Sequence, residues 1–242
     1  MKKDDSIFHP IDSFIATFAS RPTTSFYPSS ASCIIGKDEI VGECLRKQYY
    51  RWKGEKATGD QSWRSWLSMR LGSAYERAFL EGYRAQGLLK AVDYPFRVTV
   101  MGLPISGRLD GLTKKNEVIE CKSVYGKAFY MKLGDSVMNR PKREHLAQIM
   151  VYLSCLGLDV CLLPYGSRDD TGKRVAYRIH KSDIERLGIY FIKIIKRWKD
   201  LKLCLDANIL PVRDYDYEHW MCRYCGYRKL CYHSPNSLFY LK

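Results

Sequence analysis

Apolar residues recur along this chain with two different periods. Helical spacing dominates the first third. A helix is expected around Ile11–Ala19, followed by a turn-rich loop at 20–32. A second helix is expected at 38–53, with Ile40, Cys44 and Tyr50 among its less polar positions. A third, at about 60–87, carries Trp63, Trp66, Leu67, Leu71, Tyr75 and Phe79 three and four residues apart. The pattern then shortens to strands at Tyr94–Met101, Ile105–Leu112 and Glu117–Val124. The polar Thr113-Lys114-Lys115-Asn116 makes a turn between the last two, which pairs them antiparallel.

Helices are expected again at about 127–138 and 142–157, then strands at Asp159–Pro164 and Arg174–His180. Ser182 and Glu185 have capping-box spacing and open a long amphipathic helix. Its buried face carries Ile184, Leu187, Phe191, Ile194, Ile195, Trp198, Leu201 and Leu205. Its other face carries Lys193, Lys196, Arg197, Lys199 and Lys202, either solvated or against a phosphate backbone. The order of elements predicts an α/β fold with a mixed central sheet flanked by helices. Three regions are expected: an N-terminal helical region over 1–90, a core over 91–206, and a cysteine-rich tail over 207–242 that packs on the first.

Composition narrows the partner. Of 242 residues, 40 are Lys or Arg and 26 Asp or Glu, a net charge of 40 − 26 = +14, which points to a polyanion such as nucleic acid. The apolar runs fall short of the roughly 18 residues that span a bilayer, and Met1-Lys2-Lys3-Asp4-Asp5 lacks the apolar core of a secretory signal. A cytoplasmic protein, in the host cytoplasm if viral, with no membrane partner is the expectation. Nine cysteines, an odd number, favour metal ligands or buried thiols over a disulfide framework.

The densest chemistry lies in Gly107-Arg108-Leu109-Asp110-Gly111 and Val118-Ile119-Glu120-Cys121-Lys122-Ser123. On a strand, Glu120 and Lys122 share a face, while Ile119 and Cys121 take the other. A hairpin brings Asp110 near that face. Carboxylates grouped in this way suit Mg²⁺ or Mn²⁺, which would polarise a phosphodiester and acidify a water, with Lys122 offsetting charge. The alternative is an ordinary charged hairpin, at the expense of carboxylates set among Val118, Ile119 and Cys121. Upstream, Glu76 sits on a helix leading into the sheet. Downstream, Gln148 and Tyr152 lie four apart on one helical face, with His145 a turn earlier. The apolar stripe Leu146, Ile149, Met150, Leu153 and Leu156 lies on another side and should dock on the sheet. Arg108 is a lesser candidate for a phosphate contact.

In that order, Gly72–Glu76, Gly107–Asp110, Glu120–Lys122 and Gln148–Tyr152 resemble the motifs of the RecB-like nucleases of the PD-(D/E)xK superfamily. The resemblance implies a restriction-endonuclease-like sheet and a metal-dependent DNA exonuclease acting on single-stranded ends. Glu76, Asp110, Glu120 and the Cys121 carbonyl would be metal ligands, Lys122 would assist catalysis, and Gln148 and Tyr152 would help position DNA. Many relatives carry His where this chain has Glu76. Other readings are a structure-specific endonuclease of the same superfamily, or a non-catalytic DNA-binding subunit of a recombination or CRISPR adaptation complex.

Near the C-terminus, Cys222, Cys225 and Cys231 form a compact thiol group with zinc or iron–sulfur spacing. His219 or His233 would complete a zinc site. With Cys44, the pattern resembles the iron–sulfur members of the RecB-like group, the CRISPR-associated and AddB-type exonucleases. That resemblance implies a [4Fe–4S] cluster held by Cys44, Cys222, Cys225 and Cys231. Cys33, Cys155, Cys161 and Cys204 read as core thiols. The tail also mixes Arg223, Arg228 and Lys229 with Tyr224, Tyr227 and Tyr232, a composition that serves either base stacking or packing.

Overall fold

The computed structural model describes residues 23–57, 63–130 and 136–233. The helix expected at Ile11–Ala19 lies outside these residues. The chain divides into two compact units. One holds, of the described residues, those within Cys44–Arg70 and Cys204–Lys242, and the other spans Thr24–Glu43 and Leu71–Leu203. No helix among the described residues is long and apolar enough to cross a membrane.

The larger unit begins with a 3-10 turn at Pro28–Ser30 and a hairpin of β1 (Ser32–Ile35) and β2 (Glu39–Gly42), paired antiparallel with Cys33 opposite Val41. This corrects the helix expected at 38–53; the loop expected at 20–32 holds over 23–31, with the 3-10 turn inside it, and only Ser32 joins a strand. Ser-Cys-Ile-Ile and Glu-Ile-Val-Gly are β-branched runs separated by Gly36-Lys37-Asp38, so hairpin pairing wins over the weak helical period. Helix starts only at α1 (Leu45–Trp52), and α2 follows at Trp63–Ala85.

The central sheet is mixed. β3 (Leu89–Val100) pairs antiparallel with β4 (Leu103–Thr113), and β4 pairs with β5 (Val118–Ile119), Gly111 lying opposite Ile119. The expected single strand at 117–124 is divided into β5 and β6 (Lys122–Val124), and both run parallel to β7 (Val160–Ser167). Val118 pairs with Cys161 and Lys122 with Tyr165, so the offset is 161 − 118 = 165 − 122 = 43 on both sides of the break. β8 (Arg174–His180) closes the sheet antiparallel to β7. The crossover from β6 to β7 runs through α3 (Arg143–Leu156).

One face of the sheet meets the latter part of α2, where Leu80, Ile119 and Cys121 form a buried cluster with Tyr75, Phe79 and Leu162 against it. α3 is buried along both its apolar stripe and its polar positions, from Leu146 to Leu153, because it also packs on β1, β2 and the turn at Pro28–Ser30. Of the helix expected at 127–138, residues 131–135 lie outside the described residues, and the described parts are a 3-10 turn, Gly126–Phe129, and a turn at 137–139 rather than helix. Val137 N–H donates to the Ala128 carbonyl at 2.9 Å and the Ser136 hydroxyl to that of Phe129.

The long amphipathic helix is also two helices, α4 (Lys181–Arg186) and α5 (Phe191–Asp206). Gly188, at φ +79°, takes a left-handed conformation that ends the first. The cap moves as well: Asp183 accepts the His180 N–H at 2.9 Å, two residues before the Ser182 cap expected from spacing. Leu187 is therefore exposed rather than buried, and Arg197 is buried rather than solvated, with Nε 3.4 Å from Ser32 Oγ.

In the smaller unit, Asp214 Oδ2 accepts the Leu45 N–H at 2.7 Å, placing a carboxylate at the N-terminus of α1. Tyr50 packs on Tyr227, with ring centroids 5.4 Å apart. Two short helices, α6 (Trp220–Arg223) and α7 (Arg228–His233), carry the last cysteines.

Candidate functional site

The break between β5 and β6 builds the site. Glu120 keeps its N–H on the Leu162 carbonyl at 3.0 Å, but the next amide, that of Cys121, donates to Asp110 Oδ2 at 2.7 Å. Asp110 comes from β4, opposite Glu120 in the antiparallel register set by Gly111 and Ile119. The alternation expected of this segment holds: Cys121 and Ile119 enter the apolar cluster, whereas Glu120 and Lys122 meet each other on the opposite face.

Lys122 Nζ donates to Glu120 Oε1 at 2.6 Å and to Gln148 Oε1 at 2.9 Å. Gln148 Nε2 donates to the same Glu120 oxygen at 2.7 Å and to the Tyr152 hydroxyl at 3.0 Å. Tyr152 donates to the Arg108 carbonyl at 3.2 Å, which returns the network to β4. Four side chains, Glu120 from the break between β5 and β6, Lys122 from β6, and Gln148 and Tyr152 from α3, are thus fixed by direct bonds. Among the described residues, Glu120 Oε2 is buried without a hydrogen-bond partner.

The carboxylates sense one another. Burial, with Glu120 and Glu76 nearby, pushes Asp110 up to about 8. Burial, then Asp93 and Glu120, raises Glu76 on α2. Burial alone would lower the Lys122 ammonium, but the Glu120 and Asp110 carboxylates outweigh it and raise its pKa, keeping it charged. Lys122 is therefore the cation directly bonded within this acidic neighbourhood.

Among the described residues, no group of three or more His, Cys, Asp or Glu side chains is drawn close enough to grip a metal ion as it stands. The donor set nonetheless fits a hard divalent cation. The oxygens come from carboxylates, one of them is buried without a hydrogen-bond partner among the described residues, and burial together with the neighbouring carboxylates raises both Asp110 and Glu76.

The glycines of two motifs have steric reasons. A Cβ on Gly72 would lie 2.9 Å from Ser123 Oγ, and one on Gly107 would lie 2.6 Å from the Phe96 ring. α2 therefore lies close against β6, and Phe96 covers Gly107 while meeting Tyr152 edge-on at 5.9 Å. Phe96, which helps fix Tyr152, was missed in the sequence because an aromatic in a strand carries no motif.

Two other positions expected at the site are engaged elsewhere. His145 Nδ1 lies 2.7 Å from the Tyr165 hydroxyl, and burial with Lys122 and Lys142 nearby holds its pKa well below the ordinary value. A neutral imidazole offers no charge to a phosphate. Arg108 Nε lies 3.3 Å from Asp93 Oδ1, and both side chains are largely exposed.

Within the smaller unit, Cys44, Cys222, Cys225 and Cys231 all line one cavity, together with Arg46, Lys47, Tyr50 and Arg228 among others. All nine cysteines are free thiols. Burial and Asp214 push Cys44 up to about 12, and burial raises Cys222, with Cys225 and Cys231 adding to it. Cys33 and Cys161 are fully buried, whereas Cys155 and Cys204 are only partly so. Of the tail tyrosines, Tyr227 is packed inside and Tyr224 is almost wholly exposed.

No protein-family model matches the chain, and no curated protein sequence matches it. Among solved structures, an alkaline exonuclease from Laribacter hongkongensis (LHK-Exo) aligns at 19% identity and a TM-score of 0.44, over 58% of this chain and 71% of its own. Its complex with dAMP aligns at 16% identity and 0.49, over 68% and 80%. The crystal structure of SSO0001 aligns at 15% identity with a TM-score of 0.56, over 95% of this chain and 96% of that one. With SSO0001 the chain shares its fold almost end to end, an α/β architecture with a mixed central sheet flanked by helices.

Proposed function

We propose that this protein is a divalent-metal-dependent deoxyribonuclease, an exonuclease acting on single-stranded DNA ends, with a structural iron–sulfur cluster. The reading is carried by the network that joins Lys122, Gln148 and Tyr152 to Glu120 Oε1, beside an Asp110 carboxylate that holds the next amide, while the other Glu120 oxygen is buried without a hydrogen-bond partner among the described residues. The net charge of +14 supports a polyanionic substrate.

Glu76, Asp110, Glu120 and the Cys121 carbonyl would hold Mg²⁺ or Mn²⁺, which supplies Lewis acidity toward a phosphate oxygen and a water. The protein's own groups do the rest. Glu120 and Gln148 take two of the three N–H groups of Lys122 and aim the third at an incoming phosphate or its attacking water. Tyr152 and Phe96 keep Gln148 from turning. The ring of apolar residues around Cys121 excludes water from behind the carboxylates. Single-strand preference rests on the family resemblance.

Cys44, Cys222, Cys225 and Cys231 would hold the cluster. Their sharing one cavity supports this reading. Protein purified without oxygen should degrade end-labelled linear single strands with Mg²⁺ or Mn²⁺, and Asp110→Ala and Glu120→Ala should not. Equal activity in these variants refutes the catalytic assignment. A colourless protein carrying stoichiometric zinc refutes the cluster.

A further inference from the structure

The cysteine cavity has one wall whose role goes beyond ligation. Arg46, two residues after Cys44 on α1, is 1% exposed, so its guanidinium is inside the unit. Nε donates to the Pro211 carbonyl at 2.6 Å, and Nη1 donates to the Cys231 carbonyl at 3.1 Å. The same Nη1 lies 3.8 Å from Cys231 Sγ. Arg213 converges on that carbonyl from another side, with Nη2 at 2.9 Å. Arg46 also lines the cavity shared by the four thiols. One residue thus fixes the backbone of a candidate ligand, touches its sulfur, and carries positive charge to the cavity wall.

A buried guanidinium is costly unless hydrogen bonds and negative charge compensate it. Four thiolates around an iron–sulfur core supply that charge, because together they outweigh the positive charge of the metal core. Hydrogen bonds to the sulfurs and the net charge nearby are also what set such a cluster's reduction potential. We propose that Arg46 is the positioning residue of this site: its fork holds Cys231 in ligand orientation, and its charge offsets that of the four-cysteine cluster. The inference rests on the proposed ligation by Cys44, Cys222, Cys225 and Cys231.

Charge and fork are separable. Arg46→Lys keeps the charge and loses the planar fork, whereas Arg46→Gln loses the charge. Full-length protein, purified without oxygen, is to be compared in three readouts: iron per chain, loss of visible absorption under a chelator, and the midpoint potential. Arg46→Gln should lose iron about 10- to 100-fold faster and show a more negative potential, since reduction adds negative charge. Arg46→Lys should also lose iron faster yet keep a potential close to wild type. Arg46→Gln with wild-type iron retention and potential overturns the proposal. So does an Arg46→Gln chain that fails to fold even without metal, read by circular dichroism against metal-free wild type, because the role is then packing alone. An iron-free wild type refutes the cluster itself, a different failure from an iron-loaded protein indifferent to Arg46.

Discussion

Asp110 holds the amide of Cys121 across the gap between β4 and the next strand, its Oδ2 accepting that N–H at 2.7 Å. The carboxylate therefore has two tasks: one oxygen completes the backbone of the site, and its charge is set against those of Glu120 and Glu76. Asp110→Asn keeps an oxygen for the amide and removes the charge. It should fold normally yet lose at least about 100-fold in DNA hydrolysis, more than an outer-shell change costs. Comparing melting curves with single-turnover rates separates the two tasks.

The same aspartate makes stability depend on pH and on metal. Its folded pKa, pushed up to about 8 by burial and by Glu120 and Glu76, lies above that of the unfolded chain. Its contribution is thus fully present below about pH 4 and is lost as pH rises towards 8. Glu76 is shifted in the same direction. Metal-free protein should gain on the order of 1–3 kcal/mol on acidification from pH 8 to 5. Asp110→Asn or added Mg²⁺ should flatten that slope. Denaturant melts at a series of pH values, with EDTA or Mg²⁺, measure it.

Gln148 and Tyr152 should separate sharply in kinetics. Gln148 touches both Glu120 and Lys122, so Gln148→Ala should cost about 10- to 100-fold in turnover. Tyr152 is buried and bonds only protein groups, Gln148 and the Arg108 carbonyl, among the described contacts. Tyr152→Phe should cost about 1 kcal/mol of stability and less than about tenfold in rate. A loss of DNA affinity in Tyr152→Phe without a change in turnover would restore its role as a direct DNA contact.

Gly107 should tolerate a methyl only if Phe96 yields. Gly107→Ala places a Cβ 2.6 Å from that ring, which leans on Tyr152. The overpacking should cost about 1–3 kcal/mol, and Phe96→Ala in the same chain should recover part of it. A non-additive double-mutant cycle is the expected signature.

The site was more legible in the sequence than the elements around it. The spacing of Glu120 and Lys122 put them on one face because alternation in a strand is a local property, and the turn at Thr113–Asn116 fixed which residues of β4 they met. Gln148 and Tyr152 shared a helical face for a similarly local reason. Distant partners escaped notice. Nothing near Ser32 signals that it pairs opposite Gly42, and nothing near Arg197 signals that a hydroxyl from that hairpin waits beside it. His145 looked like a site residue because it lies one turn before Gln148. Its burial against Tyr165, a residue of β7, depends on the crossover and not on spacing.

The constant offset of 43 between β7 and both pieces of its parallel neighbour has an evolutionary cost. Deleting or adding one residue between Val118 and Val124 would invert the segment beyond the change. A change directly after Val118 would deliver Ile119 and Cys121 to the face that now carries Glu120 and Lys122, and the charged pair to the oily side under α2. Diversification of this segment can proceed by exchange of side chains but not by a change in length.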